Sequence, residues 1–138
     1  MKIPTAIHAI NYTPDDLPEA LRPVASLIGK SKKAQQKLSP GTWQHSMLQD
    51  NIKALHIASA LMTKEIDGAD SFTRNDLQEA LRALASMINK TEKSQAKISP
   101  GISQYTLLQN RLKALRIAEA MVKLESDKRK APTKDLYL

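Results

Sequence analysis

The sequence predicts an all-α protein: tandem duplicated helical hairpins forming an up-down-up-down four-helix bundle. Three observations predict it. The chain repeats itself, its apolar residues recur with a helical period, and each copy is interrupted at the same place by Ser-Pro-Gly.

Ser39–Met62, SPGTWQHSMLQDNIKALHIASALM, recurs as Ser99–Val122, SPGISQYTLLQNRLKALRIAEAMV. Tyr12–Ile66 aligns on Phe72–Ser126 without a gap, and the identical pairs include Asp16/Asp76, Glu19/Glu79, Arg22/Arg82 and Lys53/Lys113. A sequence of 138 residues fits one domain, 1–138, with repeat one at 12–66, repeat two at 72–126 and a flexible basic tail at 127–138. One copy, roughly 55 residues, buries only a marginal core, so the two are expected to fold together.

Residues 1–11 show no period. Thr13 then reads as a helix N-cap, with Pro14 at the first helical position and Asp16 where a capping-box acid belongs. Tyr12 and Leu17 occupy the positions of a hydrophobic staple. Phe72-Thr73-Arg74-Asn75-Asp76-Leu77 repeats this start. Capping, rather than catalysis, is the reading for Asp16 and Asp76.

In copy two, Leu77, Leu81, Leu84, Ile88 and Ile98 form one apolar stripe, with Thr91 and Gln95 filling its gap. Copy one matches with Leu17, Leu21, Val24, Ile28 and Leu38, but carries Pro18, Pro23 and Gly29. An interior proline costs about 3 kcal/mol in a helix, so a kink or a late start is expected there. Proline also ends the helix before it, which places both hairpin turns at Ser-Pro-Gly. Ser39 and Ser99 are expected to cap the next helices, with Pro40 and Pro100 at their first positions. Trp43, just after the turn, is expected to staple against Leu38.

The second helix of each copy carries two apolar stripes. Leu48, Ile52, Leu55 and Met62 form one in copy one, as Leu108, Leu112, Leu115 and Val122 do in copy two. The second stripe is Met47, Ala54, Ile57 and Leu61, repeated as Leu107, Ala114, Ile117 and Met121, and continued by Leu124. Two separated stripes require burial on two sides, which makes these helices central. They are expected to pack mainly on each other, joining the copies within a monomer or across a homodimer. The eight second-stripe residues are thus the candidate repeat–repeat or partner interface. Gly68 is the expected C-terminal cap of this helix in copy one. After Glu125 the polar, basic run SDKRKAPTKDLYL reads as a mobile tail.

The candidate chemistry is sparse. The chain has no Cys, no GxSxG and no Gly-rich phosphate loop. His45 and His56 lie about three turns apart on one helix, too far to share a metal, and His8 falls in the irregular start. Glu119, on the first apolar stripe near Arg116 and Arg111, is the one polar position to watch. No metal site, cofactor or catalytic residue is assigned, and an enzyme is not expected.

The net charge of +7 suits acidic partners. Lys30, Lys33 and Lys37 make a solvent-facing row leading to the first turn, and Lys90, Lys93 and Lys97 repeat it. These six are the candidate anion or nucleic-acid contacts. Aromatics are 4% of the chain, which leaves few platforms for bases. A polar strip, Gln49, Lys53, His56 and Gln109, Lys113, Arg116, reads as a basic edge for an acidic partner or as an ordinary wet edge. The function expected is a non-enzymatic helical protein-interaction module. The alternative is a weak, sequence-independent nucleic-acid-binding accessory protein using the lysine rows. No apolar run approaches the roughly 20 residues of a membrane span. The N-terminal stretch makes a poor signal peptide. The expected location is cytoplasmic.

Overall fold

The computed structural model of the chain describes residues 16–63 and 72–135, with side chains as far as 128. Every regular element described is helical: α1 is Asp16–Gln36, α2 Trp43–Met62, α3 Arg74–Ala96 and α4 Ser103–Asp135. Thr13 and Pro14, the Tyr12 half of the staple, His8, Gly68 and the terminal Leu136-Tyr137-Leu138 lie outside the described residues.

The start of α3 follows from local chemistry. Thr73 Oγ1 accepts from the Asp76 N–H at 3.0 Å, and the Asp76 carboxylate accepts from the Thr73 N–H at 3.0 Å. This is the capping box the sequence expects, and it satisfies two of the free N–H groups of a helix start. Thr91, in the gap of the apolar stripe, is buried and donates to the Met87 carbonyl at 2.8 Å. A polar side chain is thereby accommodated in the core by its own helix.

The Ser-Pro-Gly turns differ from the expectation. Neither serine caps a helix, and neither proline lies inside one. The Ser39 carbonyl accepts from the Thr42 N–H at 3.3 Å, and Gly41 sits at φ +95°. With Pro40 before it, this is a type II turn, whose third position demands a positive φ. Ser99 to Ile102 repeats it, with Gly101 at φ +98°. A right-handed helix cannot pass through that conformation, so α2 and α4 begin only after it. Thr42 is the N-cap of α2: its hydroxyl accepts from the His45 N–H at 3.3 Å and donates to the Ser39 carbonyl at 2.9 Å. Copy two has Ile102 there, with no side chain to cap.

The helix of copy one, expected to kink or to start later than Pro14, is described from Asp16 and is continuous through Pro23. Pro23 has no N–H for the Glu19 carbonyl four residues back, so the cost is local rather than a break. The last helix does not stop near Glu125 but continues to Asp135. Ser126 is buried, and Lys123 and Asp127 pair across one turn at 4.0 Å. No helix breaker intervenes between Ser126 and Pro132.

The core gathers Val24 from α1, Ala54, Leu55, Ile57 and Ala58 from α2, Leu77 and Leu84 from α3, and Ala114, Leu115, Ile117, Ala118 and Val122 from α4. Each of α1 and α3 packs against both α2 and α4, and α2 and α4 also meet. That last contact is the least extensive of the five, so the two central helices do not pack mainly on each other. Their second stripe is divided. Ala54 and Ile57 border α3 beside Ala80, and Ala114 and Ile117 border α1 beside Ala20. The expectation failed because a helix with two stripes needs two flanking neighbours, and each copy supplies the other's.

Candidate binding surface at the hairpin end

All six lysines, Lys30, Lys33, Lys37, Lys90, Lys93 and Lys97, are exposed. They face water because the same helices bury the opposite side through Val24 and Leu84. The ion pairs found among the described residues use other cations: Lys53, Lys113, Arg116 and Lys123. The two rows thus keep their charge uncompensated by neighbouring carboxylates. Lys90 makes one contact beyond its row. Its Nζ lies 3.2 Å from the Met47 sulfur, which fixes the α3 row beside α2.

Trp43 is not stapled. It is 70% exposed, the most exposed of the large apolar side chains among the described residues, ahead of Ile102 and Leu107 at 51% and 47%. Its place follows from helix geometry. Trp43 lies four residues before Met47, hence on the same face one turn away. From Lys53 down α2 to Met47, the partner on α3 climbs from Asp76 to Lys90. The start of α2 therefore lies alongside the last turns of α3, which puts Trp43 at the end of the molecule that carries the Lys90–Lys93–Lys97 row. The matching position in copy two is Ser103. Large exposed apolar groups beside uncompensated charge mark an interaction surface.

The eight second-stripe residues do not form one surface. Ala54, Ile57, Leu61, Ala114 and Ile117 are buried, Met47 and Met121 are partly buried, and Leu107 is exposed. Leu107, near the turn, is left uncovered, whereas Lys90 of α3 reaches Met47.

The polar strip is engaged within the chain. Lys53 reaches Asp76 at 2.9 Å, and Lys113 reaches Asp16 at 3.4 Å. Gln35 donates to Gln49 at 2.7 Å and to the His45 carbonyl at 3.3 Å. Gln95 makes the matching bonds to Gln109 and to the Tyr105 carbonyl. Arg116 pairs with Glu92, where copy one sets His56 and Lys32. The strip is mostly a seam between helices, not a free edge. The Lys53 and Thr73 hydrogen bonds hold the Asp76 carboxyl down at about 2, and Asp76 in turn raises the Lys53 ammonium above its ordinary value.

Beside these pairs are two clefts built from matching positions. The α1–α4 cleft is about 350 Å³, lined by Asp16, Glu19, Arg22, Pro23, Lys113 and Ile117 among others. The α2–α3 cleft, around Lys53, Ile57, Asp76 and Glu79, is about 10 Å³. The larger cleft carries both signs of charge, so it does not select an anion or a cation. Burial pushes the Glu119 carboxyl above its ordinary value, partly offset by Arg116. No group of three metal-ligating side chains occurs among the described residues. No described helix is long and apolar enough to cross a membrane.

The sequence places the six lysines on a solvent face, where they are, but does not place Trp43 in the open at the same end. The signal was present: Trp43 and Met47 are four apart, and the Met47 position belongs to a half-covered stripe. Sequence reasoning also missed Gln35 and Gln95 as side chains that tie the turns, although both copies keep them. No protein family matches the chain, and no curated protein or solved structure does either.

Proposed function

We propose that the protein works by binding rather than by catalysis, as a helical interaction module whose partner is acidic. The observation that carries this reading is the exposure of Trp43 at the same end of the molecule as lysines that form no ion pair among the described residues. Two further points support it. The helix-start acid Asp76 is engaged in capping and in a seam ion pair. The second stripe lies mostly inside, where Ile57 and Ile117 are buried at the contacts between helices of the two copies. The binding surface is then the hairpin end. A protein with an acidic face and a nucleic acid are its two candidate partners.

The fold that goes with this reading is an up-down-up-down bundle of two duplicated hairpins related by an approximate two-fold axis. Its support is the exchange of offsets in the seam: Lys53 pairs with Asp76, and Lys113 with Asp16. A cytoplasmic location fits a chain without Cys. The test is retention on an immobilised polyanion at low salt. The six lysines are replaced together by Gln, with helicity checked by circular dichroism. Retention of the parent and its loss in the folded variant is expected. Failure of the parent to bind any polyanion sinks the reading.

A further inference from the structure

We propose that the α2–α3 face of the hairpin end is a contact for single-stranded nucleic acid, with a base stacked on Trp43 and the adjoining phosphates on Lys90, Lys93 and Lys97. The inference rests on the binding reading above and names its ligand.

Three features of that face point to the same chemistry. The first is a platform. An indole that is 70% exposed on the first turn of a helix offers a flat apolar face at low conformational cost. Every base has such a face, so stacking is tolerant of sequence. A duplex hides its bases, whereas a single strand presents them. The second is a charge track. Lys90 to Lys97 rises about 10 Å along α3, with Lys93 between, which provides a row of cations rather than a single point. Lysine ammonium groups on flexible stems follow a backbone without reading it. The third is fixation. The Lys90 ammonium stands 3.2 Å from the Met47 sulfur, one turn from Trp43, so track and platform belong to one surface. An acidic peptide would satisfy the lysines, but it leaves the indole face unexplained unless it also carries an apolar anchor at the right spacing.

The copy-one row provides an internal comparison. Lys30, Lys33 and Lys37 are exposed too, but the α4 position that matches Trp43 is Ser103. Charge alone predicts equal roles for the two rows. Stacking plus charge predicts that the α3 row dominates.

Trp43 is the only tryptophan in the chain, so its fluorescence reports on this face directly. The full chain is titrated at low salt with a twelve-nucleotide thymidine oligomer, with a duplex of the same length, and with a poly-glutamate peptide of matched charge. The oligomer is expected to bind and quench Trp43 emission, and the duplex to bind more weakly with little quenching. Trp43→Ala is expected to weaken oligomer binding about 5- to 150-fold, the range for loss of one stacked base. Trp43→Phe should recover part of it. Replacing Lys90, Lys93 and Lys97 by Gln should lower the slope of log affinity against log salt by about 2, at about 0.7 for each single-strand phosphate that is no longer neutralised. The same change at Lys30, Lys33 and Lys37 should cost less. Equal losses from the two rows, or an oligomer that binds without touching Trp43 emission, overturn the inference. If poly-glutamate binds and quenches while the oligomer does not, the nucleic-acid assignment falls and the acidic-partner reading stands. If no polyanion binds, both fall.

Discussion

The α2–α3 seam and the α1–α4 seam are assembled from matching residues, yet they close to different degrees. Each has a lysine from a central helix, an aspartate and a glutamate from a flanking helix, and an Ala-Ile pair beneath. In the first seam the ion pair is 2.9 Å long and the cleft about 10 Å³. In the second the pair is 3.4 Å and the cleft about 350 Å³. The flanking residue that differs at the wide cleft is Pro23, where α3 has Ala83. A proline ring crowds the carbonyl one turn back and leaves it without its N–H partner. The facing residue differs too: Asn110 stands where α2 has Asp50. The pattern of apolar and charged positions sets which helices meet, and the difference in closeness coincides with the two positions at which the seams differ, 23 and 110.

The largest test of that comparison is at the two isoleucines. Ile57 is 2% exposed and Ile117 1%. Truncating either to Ala is expected to cost about 2–5 kcal/mol in urea denaturation. Ile57→Ala should lie at the upper end and Ile117→Ala at the lower, because Ile117 already borders an open cleft. Equal costs would mean that the cleft has no energetic weight. Ile57→Asp should do worse than either, by burying an unpaired charge.

Next comes the proline itself. Pro23→Ala is expected to stabilise the protein by about 1–3 kcal/mol, restoring a helix hydrogen bond against some gain in unfolded-state freedom. Amide exchange over residues 16–30, expected to be faster than over 74–90 in the parent, should slow towards the rate of that segment. Unchanged protection would remove Pro23 as the origin of the difference between the seams.

A smaller effect is expected in acid. Asp76 has its folded-state carboxyl lowered from 3.8 to about 2, so its contribution is present above about pH 4 and is lost as the pH falls towards 2. Asp76→Asn should flatten that part of the stability–pH profile. A variant as acid-sensitive as the parent would show that the tight seam does not depend on this charge. Smallest of all is Glu119→Ser, the copy-one residue. A carboxyl raised by burial favours folding at low pH, and that advantage is lost as the pH rises through its folded value. The variant should therefore melt slightly higher at neutral pH and no higher in acid.

Much of this architecture was legible because its signals are local or periodic. The capping box at Thr73 and Asp76 is a three-residue relation, and the burial of Ile57 and Ile117 follows from a helical period. The Ser-Pro-Gly turns were misread because two local rules compete there. Ser-Pro suits a helix start and Pro-Gly a type II turn, and only the positive φ of Gly41 and Gly101 decides between them. The continuation of α4 depends on burial of Ser126, which the polar sequence after Glu125 hides. The Lys53–Asp76 bond joins residues far apart in sequence, and no pattern in a single chain announces such a pair. Trp43 sits at a staple position only if Ser39 is the N-cap; with Thr42 capping, Trp43 is the first helical residue and the staple position falls at Ser46.

The crossed ion pairs have a consequence for assembly. Positions 53 and 113 correspond, as do 16 and 76, so each bond runs from one unit's lysine to the other unit's aspartate and is answered in reverse. One unit alone, Phe72 to Asp135, already carries both Asp76 and Lys113. Such a surface is its own complement, the condition for an isologous two-fold contact between identical chains. The half-length polypeptide is therefore expected to associate in pairs at high concentration, with two equivalent Lys113–Asp76 bridges across the axis, and sedimentation of that fragment at rising salt would reveal it.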